Sequence, residues 1–326
     1  MSEKIRWGVL SSAKIAKTAI VPAIHEAESA ELVAVASESG KAEATAAEWG
    51  AKSHYDSYEA LLQDPEVDAV YIPLPNALHK KWVIEAAKYK KHVLVEKPAG
   101  VTSDEVLEMG GAAKQNSVIW MEAFMYQFHP QHQYVKKLMQ DGSIGDVKRI
   151  RAHFSYPMDL SSDNIRLKGD LGGGSLYDVG CYCVHASRFL LEEEPLKVFS
   201  TARKLDETNV DLSTSGILTF ANADAVFDCS FQESGTNRYE VIGTKGRIEV
   251  PYAFRPDSNP NGGKGEVILK NAGGEALDHQ SFEANQFTVQ VQHFSQCVIN
   301  NVDPMYSADS TYNNMKVIEA LYQSQR

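Results

Sequence analysis

The chain has 326 residues, of which 43% are hydrophobic, 23% charged and 9% aromatic. This is the composition of an ordinary globular protein; it excludes a disordered or collagen-like chain, and no apolar run reaches the ~18 residues of a membrane-spanning helix. The net charge of −11 opposes general binding to nucleic acid phosphates, so we expect no nucleic acid partner. The first residues contain no apolar stretch long enough for the core of a signal peptide, so we also expect no membrane partner and a cytoplasmic location.

The cysteines indicate neither a metal site nor a disulfide. They are Cys181, Cys183, Cys229 and Cys297. The close pair Cys181 and Cys183 has no second close pair, as a zinc site requires. We therefore predict reduced, buried thiols and no metal site.

The first third of the chain alternates strand and helix patterns. The predicted strands are Ile5–Leu10, Glu31–Ser37, Ala69–Ile72, His92–Glu96 and Val118–Met121. The predicted helices are Ile15–His25, Lys41–Trp49, Ser57–Gln63, Leu78–Lys88 and Ser103–Gln115, with Ser57 as a cap. Strands that are apolar on both faces and alternate with helices predict a doubly wound parallel sheet of Rossmann type.

The pattern changes after about residue 124. The predicted strands are Val147–Tyr156, Val198–Lys204, Ser213–Phe220, Ala225–Gln232, Arg238–Gly243, Arg247–Val250 and Glu266–Lys270. The predicted helices are Gln131–Gln140, Leu176–Leu190, Phe287–Ile299 and Ala308–Gln323, and residues 256–265 form a loop. The expected fold is α/β, with a Rossmann domain over 1–123 and an α+β domain with a large, mainly antiparallel sheet over 124–326. The expected division allows the last helix to pack against the first domain.

The first strand-to-helix turn is a candidate dinucleotide site. The usual G-x-G-x-x-G/A positions hold Ser11, Ala13 and Ala16, with Ser12, Lys14 and Ile15 beside them. Small residues still let the backbone approach a pyrophosphate at the helix N-terminus. The motif alone also fits an ordinary strand-to-helix turn, but its position in the first βα unit favours cofactor binding.

Residues at the end of the second strand indicate which group the cofactor carries at its ribose 2′ position. Glu38 lies near the spacing at which a carboxylate binds a ribose 2′-hydroxyl, which favours NAD. Ser37, Ser39 and Lys41 leave a 2′-phosphate, and hence NADP, open. Glu38 equally fits a solvated loop acid.

Two further segments contain candidate catalytic residues. Glu96 and Lys97 follow a buried strand at the sheet edge where α/β proteins bind ligands, although a structural ion pair is the alternative. Asp178 and Tyr182 are four residues apart and share one face of a predicted helix. A buried tyrosine bonded to a helical neighbour is the alternative for that pair.

These segments resemble the glucose–fructose oxidoreductase, inositol dehydrogenase and rhizopine catabolism (Gfo/Idh/MocA) family over essentially the whole chain. The matching segments are Gly8–Ala16, Pro75–His79, His92–Pro98, Gly145–Val147 and Gly173–Tyr182. Many members carry His where this chain has Tyr182. Asp178-x-Gly180-x-Tyr182 and Met121-Glu122-Ala123 instead resemble the dimeric dihydrodiol dehydrogenase and D-xylose dehydrogenase branch, and the first motif also resembles glucose–fructose oxidoreductase.

The resemblance implies an NAD(P)-dependent oxidoreductase acting on a CH–OH or C=O group. It makes Lys97 and Tyr182 the catalytic pair, with Asp178 in support. The cofactor contacts that it implies are Ser11, Ala13, Lys14, Ile15, Ser37, Pro75, Asn76, His79, Glu96 and Lys97. Ser12 and Glu38 are further candidate cofactor contacts, because of their places in the first turn and at the end of the second strand. It also implies a homodimer or homotetramer formed through the second domain's sheet.

The expected substrate is a sugar, a polyol or a cyclic dihydrodiol. Candidate substrate contacts, besides Asp178 and Tyr182, are Phe124, Tyr126, Phe128, Phe154, Tyr156 and Arg166. We expect Tyr182 to exchange the proton of the reacting oxygen and the Lys97 ammonium to favour its phenolate, although Lys97 itself is also a candidate base. Two alternatives remain: a non-catalytic NAD(P)-sensing regulator and a redox-assisted glycosidase.

Overall fold

Fourteen strands lie within residues 4–325, the part of the chain that the computed structural model describes. They are β1 (Ile5–Leu10), β2 (Ala30–Ala36), β3 (Ser53–Tyr55), β4 (Ala69–Ile72), β5 (His92–Val95), β6 (Trp120–Glu122), β7 (Val147–Ser155), β8 (Lys197–Lys204), β9 (Asp211–Thr219), β10 (Asp224–Ser230), β11 (Thr236–Gly243), β12 (Gly246–Val250), β13 (Gly265–Asn271) and β14 (Ala276–Phe282).

The same residues contain nine α-helices. They are α1 (Val21–Glu26), α2 (Ala42–Trp49), α3 (Tyr58–Leu62), α4 (His79–Lys88), α5 (Ser103–Asn116), α6 (Pro130–Gln140), α7 (Cys181–Leu191), α8 (Gln286–Asn300) and α9 (Ala308–Ser324). Two π-helical turns, Ala16–Ile20 and Leu176–Gly180, run directly into α1 and α7. Across these described residues no helix combines the length and apolarity needed to span a bilayer.

The described chain folds into two compact units. Unit 1 contains the chain up to Met125 together with Asn285–Met315, and unit 2 contains Tyr126–Ala284 together with the chain from Lys316 onward. Helix α8 therefore belongs to unit 1, and α9 runs from one unit into the other. The predicted domain division at residue 124 stays a prediction.

Unit 1 is built on a six-stranded parallel sheet. Its strand order is β3-β2-β1-β4-β5-β6, the order of doubly wound dinucleotide-binding folds. All four residues of β4 are buried, as expected for a strand covered by helices on both faces. The predicted cap of α3 is confirmed, because Ser57 Oγ accepts a hydrogen bond from the Ala60 N–H at 3.1 Å. The predicted Rossmann-type fold class is confirmed.

Helix α8 supplies side chains to the core of unit 1. The Trp7 ring in β1 packs against Phe294, with ring centroids 5.4 Å apart, and its Nε1 donates a hydrogen bond of 3.2 Å to Ser295 Oγ. Asn285 begins the helix by accepting a hydrogen bond from the Phe287 N–H. A segment some 160 residues beyond β6 in the chain thus completes the first unit.

Unit 2 is built on one eight-stranded sheet, in the order β14-β13-β12-β11-β7-β10-β9-β8. All pairs are antiparallel except β7 with β10, which is parallel, so the mainly antiparallel sheet is confirmed. Side chains alternate along β7: Ile150 and Ala152 are buried, whereas Arg149 and Arg151 are exposed. The sheet therefore has an inner face packed against α7 and an outer, polar face.

The sequence interpretation missed two strands. The sheet edge strand β3 has only three residues, and β14 has a largely exposed pattern without apolar alternation. Strand β14 exists because it pairs with β13 over six register positions. Such edge strands are held by backbone hydrogen bonds, which leave little trace in hydrophobic periodicity.

Candidate functional site

The predicted cofactor residues of unit 1 follow the carboxyl ends of its parallel strands. Ser11 comes directly after β1, Ser37 after β2 and Glu96 after β5. Pro75 and Asn76, both half-buried, lie in the segment between β4 and α4. Because the strands are parallel, these ends meet at one edge of the sheet, where ligands bind in open α/β folds.

The first turn has the conformation that a close backbone approach needs. Ser11 has φ 130°, a region that residues with a side chain rarely adopt, and its N–H donates a hydrogen bond of 2.9 Å to Ala36 O. A helical stretch begins at Lys14, with Ser12, Ala13 and Ile15 half-buried around its start. Its first N–H groups lack intrahelical partners and suit an anionic ligand such as a pyrophosphate.

Three serine hydroxyls line the ends of β1 and β2. Ser12 Oγ lies 3.4 Å from Ser37 Oγ, which lies 3.0 Å from Ser39 Oγ. Glu38, in the same turn, is exposed. Hydroxyls and one carboxylate fit the hydroxyls of a ribose, and the serines also fit a 2′-phosphate. The residues present therefore fit NAD(P).

Glu96 and Lys97 are anchored through the backbone and through Tyr71. The Tyr71 hydroxyl donates a hydrogen bond of 2.5 Å to Glu96 Oε1, and the Lys97 N–H donates one of 3.3 Å to Glu96 Oε2. Both side chains are half-buried. The Lys97 charge also lies close enough to His79 to help lower the pKa of that ring.

His79, a predicted cofactor contact, is fully buried and holds backbone together. Its Nδ1 lies 2.9 Å from Pro98 O and its Nε2 lies 2.8 Å from Leu74 O. Burial lowers the pKa of His79 to about 4, so the ring is neutral near pH 7 and donates to one of the two carbonyls. The ring ties the segment after β4 to the segment that carries Lys97. A direct contact with the cofactor stays a prediction.

Phe124, a predicted substrate contact, packs inside unit 1. It is fully buried, and its ring lies edge-on to Tyr306, with centroids 5.8 Å apart. Nearby, Glu122 Oε1 accepts a hydrogen bond of 2.8 Å from the Ala99 N–H, which holds the end of β6 beside the turn after Lys97. Substrate contact by Phe124 stays a prediction.

In unit 2, Asp178 is held by two predicted substrate contacts. The Tyr156 hydroxyl donates a hydrogen bond of 2.6 Å to Asp178 Oδ2, and Arg166 Nε lies 2.9 Å from the same oxygen. Asp178 lies in a π-helical turn rather than in the regular helix that we predicted. The structure thus brings Tyr156, Arg166 and Asp178 together.

Tyr182, at the start of α7, is enclosed by aromatic rings of unit 2. The rings of Tyr126, Phe154 and Phe254 have centroids 5.8, 5.3 and 5.5 Å from its own. Phe154 and Phe254 are stacked at an interplanar angle of 10°. These rings restrict the orientation of the phenol, which suits a group that acts on one substrate atom.

Tyr126 is itself anchored. Its hydroxyl forms a hydrogen bond of 2.5 Å with His185 Nδ1, and burial holds the pKa of His185 well below its usual value. His185 lies one turn after Tyr182 in α7. The hydrogen bond therefore fixes one wall of the enclosure around Tyr182.

Sequence reasoning missed Phe254 and Arg255. The pKa of Arg255 is raised, mainly by its hydrogen bonds to Asp257, with a smaller contribution from Tyr182. A cation near a phenol stabilises the phenolate. The available signal was the run of aromatic residues and arginine, 252–255, just before the predicted loop.

The outer face of the second sheet carries a separate cluster. His153, Asp228 and Glu233 each bring one potential metal-ligand atom within 4.8 Å of the others. His153 Nδ1 contacts Asp228 Oδ2, an acceptor, and its Nε2 lies 2.9 Å from Ser155 Oγ, whose hydrogen goes to Ser234 O. Both ring nitrogens therefore already contact polar side chains of the protein.

The fold and the residues at its sheet edge together define a nicotinamide-dinucleotide-binding protein with a second, sheet-based unit. Two family models match the chain: the NAD-binding Rossmann oxidoreductase family over residues 5–124 and the Gfo/Idh/MocA C-terminal domain over residues 132–249. The chain belongs to the Gfo/Idh/MocA family and is an NAD(P)-dependent oxidoreductase. The predicted resemblance and enzyme class are confirmed.

Characterised relatives span nearly the whole chain. A D-xylose 1-dehydrogenase (NADP(+)) of Haloferax volcanii is 35% identical, over 98% of this chain and 96% of its own length. A trans-1,2-dihydrobenzene-1,2-diol dehydrogenase of Xenopus laevis is 30% identical, over 98% of this chain and 97% of its own.

A 3-ketoreductase from Actinomadura kijaniata, solved with NADP and TDP-benzene, has a similar structure. It has a TM-score of 0.92 and 28% identity, covering 99% of this chain and 98% of its own. Solved forms of that enzyme include one variant with a tyrosine changed to phenylalanine and one with a lysine changed to alanine.

Proposed function

We propose that the protein transfers hydride between NAD(P) and a CH–OH or C=O group of a sugar, polyol or cyclic diol. The observation that carries the proposal is the phenol of Tyr182, enclosed by three rings of unit 2, on the same helical segment as the anchored carboxylate of Asp178. The dehydrogenase and reductase names of the relatives, which concern sugars and a diol, support this substrate class.

The residues of unit 1 bind and orient the cofactor. We assign the first turn to the pyrophosphate and the hydroxyls of Ser12, Ser37 and Ser39 to the ribose end. Bound NAD(P) supplies or accepts the hydride. Lys97, at the carboxyl edge, contributes a positive charge that stabilises a developing alkoxide.

Lys97 and Tyr182 form the proposed acid–base pair. Tyr182 hydrogen-bonds the reacting oxygen and exchanges its proton, and the cations of Lys97 and Arg255 favour its phenolate form. Asp178, held by Tyr156 and Arg166, binds a substrate hydroxyl. An exchange of this kind typically contributes ~10²–10⁴-fold to the rate.

The test is a screen of D-xylose and other aldoses, inositols and trans-dihydrodiols with NAD⁺ and NADP⁺, followed by absorbance of the reduced nicotinamide. With the best substrate, Lys97→Ala and Tyr182→Phe each lower kcat at least about 10²-fold and leave NAD(P)H affinity nearly unchanged. Matched controls are Lys88→Ala, whose ammonium pairs with Glu85 at the surface, and Tyr177→Phe, whose ring packs on Tyr322.

Three outcomes contradict the proposal in different ways. Near-normal kcat in Tyr182→Phe removes Tyr182 from the mechanism. Tight NAD(P)H binding without turnover of the panel favours the regulator. Product release from a glycoside without net change of the cofactor favours the redox-assisted glycosidase.

We also propose that the protein forms a homo-oligomer through the outer face of the second sheet. This face exposes Phe199 and Ile217 at 51% and 44% among mixed charges. Burial of such residues against a second copy is favourable. Light scattering of Ile217→Asp shows a smaller mass than wild type if the proposal holds; an unchanged mass contradicts it.

A further inference from the structure

Asp211, at the start of β9, has a carboxylate with four hydrogen-bond donors inside unit 2. It is only 2% exposed. Its Oδ2 accepts from Ser175 Oγ at 2.6 Å, from the Leu176 N–H at 2.7 Å and from Thr214 Oγ1 at 3.1 Å. Its Oδ1 accepts from the Tyr322 hydroxyl at 2.8 Å. Nothing in the proposed acid–base chemistry uses this group.

None of these four donors carries a charge. Burial raises the pKa of Asp211, whereas the hydrogen bonds oppose that rise by favouring the ionised form. The ionised carboxylate accepts all four hydrogens, but a protonated one would force a hydroxyl to turn and would weaken the bond to the Leu176 N–H, which cannot turn. The four neutral donors therefore favour the ionised form of Asp211.

The Oδ2 atom acts on the start of the helical segment that carries the site. Leu176 opens the π-helical turn that contains Asp178 and continues into α7, where Tyr182 lies. A negative charge that accepts a first-turn N–H stabilises a helix at its N-terminus. Only Tyr177 separates Leu176 from Asp178, so a shift at Leu176 is carried directly to Asp178.

The glycine turn before this segment is shaped around the same carboxylate. A Cβ on Gly174 would lie 2.2 Å from Asp211 Oδ1 and 2.9 Å from the Tyr322 hydroxyl, and Gly174 has φ 131°. The backbone therefore passes against the carboxylate in a conformation that favours glycine. The Asp211 carboxylate, the glycine turn and the end of α9 therefore pack together as one cluster.

We infer that Asp211 is a positioning residue, whose Oδ2 sets the position of Leu176 and thereby of Asp178 and Tyr182. The consequence for catalysis rests on the proposed function; the consequence for the helical segment does not. The Oδ1 atom has a different task, because it accepts from the Tyr322 hydroxyl of α9 and from no donor of the segment. The Tyr322 ring packs on Tyr177, and Tyr322→Phe keeps that ring contact while it removes the hydroxyl.

The test separates the two oxygens. Asp211→Asn removes acceptor capacity at the carboxylate, and Ser175→Ala removes the neighbouring Oδ2 donor at the segment start. Thr214→Val removes an Oδ2 donor that lies outside the segment, and Tyr322→Phe removes the Oδ1 donor. In each variant of the full chain, hydrogen exchange of the amides of residues 176–182 is measured by mass spectrometry, beside kcat, KM, NADPH affinity and the melting temperature.

We expect Asp211→Asn to raise exchange of residues 176–182 about tenfold or more and to lower kcat between about 10- and 100-fold, with NADPH affinity within about twofold. Ser175→Ala should also raise exchange of residues 176–182 and lower kcat, but by smaller factors. Tyr322→Phe and Thr214→Val lower the melting temperature but leave exchange of 176–182 and kcat within about threefold.

Several outcomes overturn the inference. If kcat falls in proportion to the melting temperature in all four variants, Asp211 has only a general stabilising role. Unchanged exchange of residues 176–182 in Asp211→Asn, or in Ser175→Ala if Asp211→Asn does not fold, contradicts it directly. If the wild-type protein turns over none of the panel, the proposed function fails, and the exchange data alone decide the role of Asp211.

Discussion

Tyr156 donates a hydrogen bond of 2.6 Å to Asp178, although the two residues are 22 positions apart in the chain. The bond joins the residue just after β7 to the turn before α7, and Arg166 approaches the same carboxylate oxygen. In our proposal the carboxylate that these two residues hold binds a substrate hydroxyl.

Loss of this bond is expected to affect substrate binding. Tyr156→Phe should raise KM for the best sugar or diol about 3- to 10-fold and change kcat less, because one charge-assisted hydrogen bond orients Asp178. Steady-state kinetics at saturating NAD(P) measures this, with Tyr177→Phe as the matched tyrosine control. An unchanged KM contradicts the role of Tyr156 in holding Asp178.

The cofactor preference is expected to depend on Glu38. Its exposed carboxylate lies in the turn with Ser37 and Ser39 and opposes a 2′-phosphate. Glu38→Gln should lower KM for NADP⁺ relative to NAD⁺ about 3- to 10-fold, whichever cofactor the wild type prefers. Glu43→Gln, an exposed carboxylate in the first turn of α2, is the charge-matched control. Equal shifts in both variants would argue against a specific role for Glu38.

Acid is expected to destabilise the protein through buried histidines. Burial lowers the pKa of His79 and His129 to about 4 and that of His132 to about 3, against an ordinary 6.5. Between pH 6.5 and about 4 the unfolded chain binds these protons and the folded one does not, so stability falls as pH falls. Each group contributes up to about 1.4 kcal/mol per pH unit in that window.

Urea unfolding at several pH values from 7 to 4.5 measures this dependence. The exposed His54 supplies the control, because His54→Gln should leave the slope unchanged. Stability that stays constant over this range would show that the three rings are not held neutral in the fold.

Two glycines are expected to respond oppositely to alanine. Gly174→Ala should destabilise the protein by about 2 kcal/mol or more, because its Cβ meets Asp211 and its φ is 131°. Gly111, exposed inside α5 with nothing near its Cβ, should gain about 0.5–1 kcal/mol on Gly111→Ala. Thermal and urea unfolding compare the two, and equal effects would contradict the close packing at Gly174.

Much of the fold was accessible from sequence. The predicted bounds of β1 and β4 coincide with the observed ones, because short apolar runs bounded by turn residues have few alternatives as strands. The helical stretch after β1 was predicted as regular, yet the structure begins it with a π-helical turn. A π-helical turn shifts the apolar pattern by only one residue, and over so short a stretch periodicity did not reveal the shift.

The sequence by itself determined the class of the protein: buried strands followed by small, polar or charged residues predict a dinucleotide-binding sheet edge, and local pattern is enough for that. Only the tertiary structure decided which distant side chains meet. Asp211 and Tyr322 are 111 positions apart, and Tyr156 and Asp178 are 22 positions apart. Polar contacts of this kind follow from the register of strands and the packing of helices, which no local sequence pattern encodes.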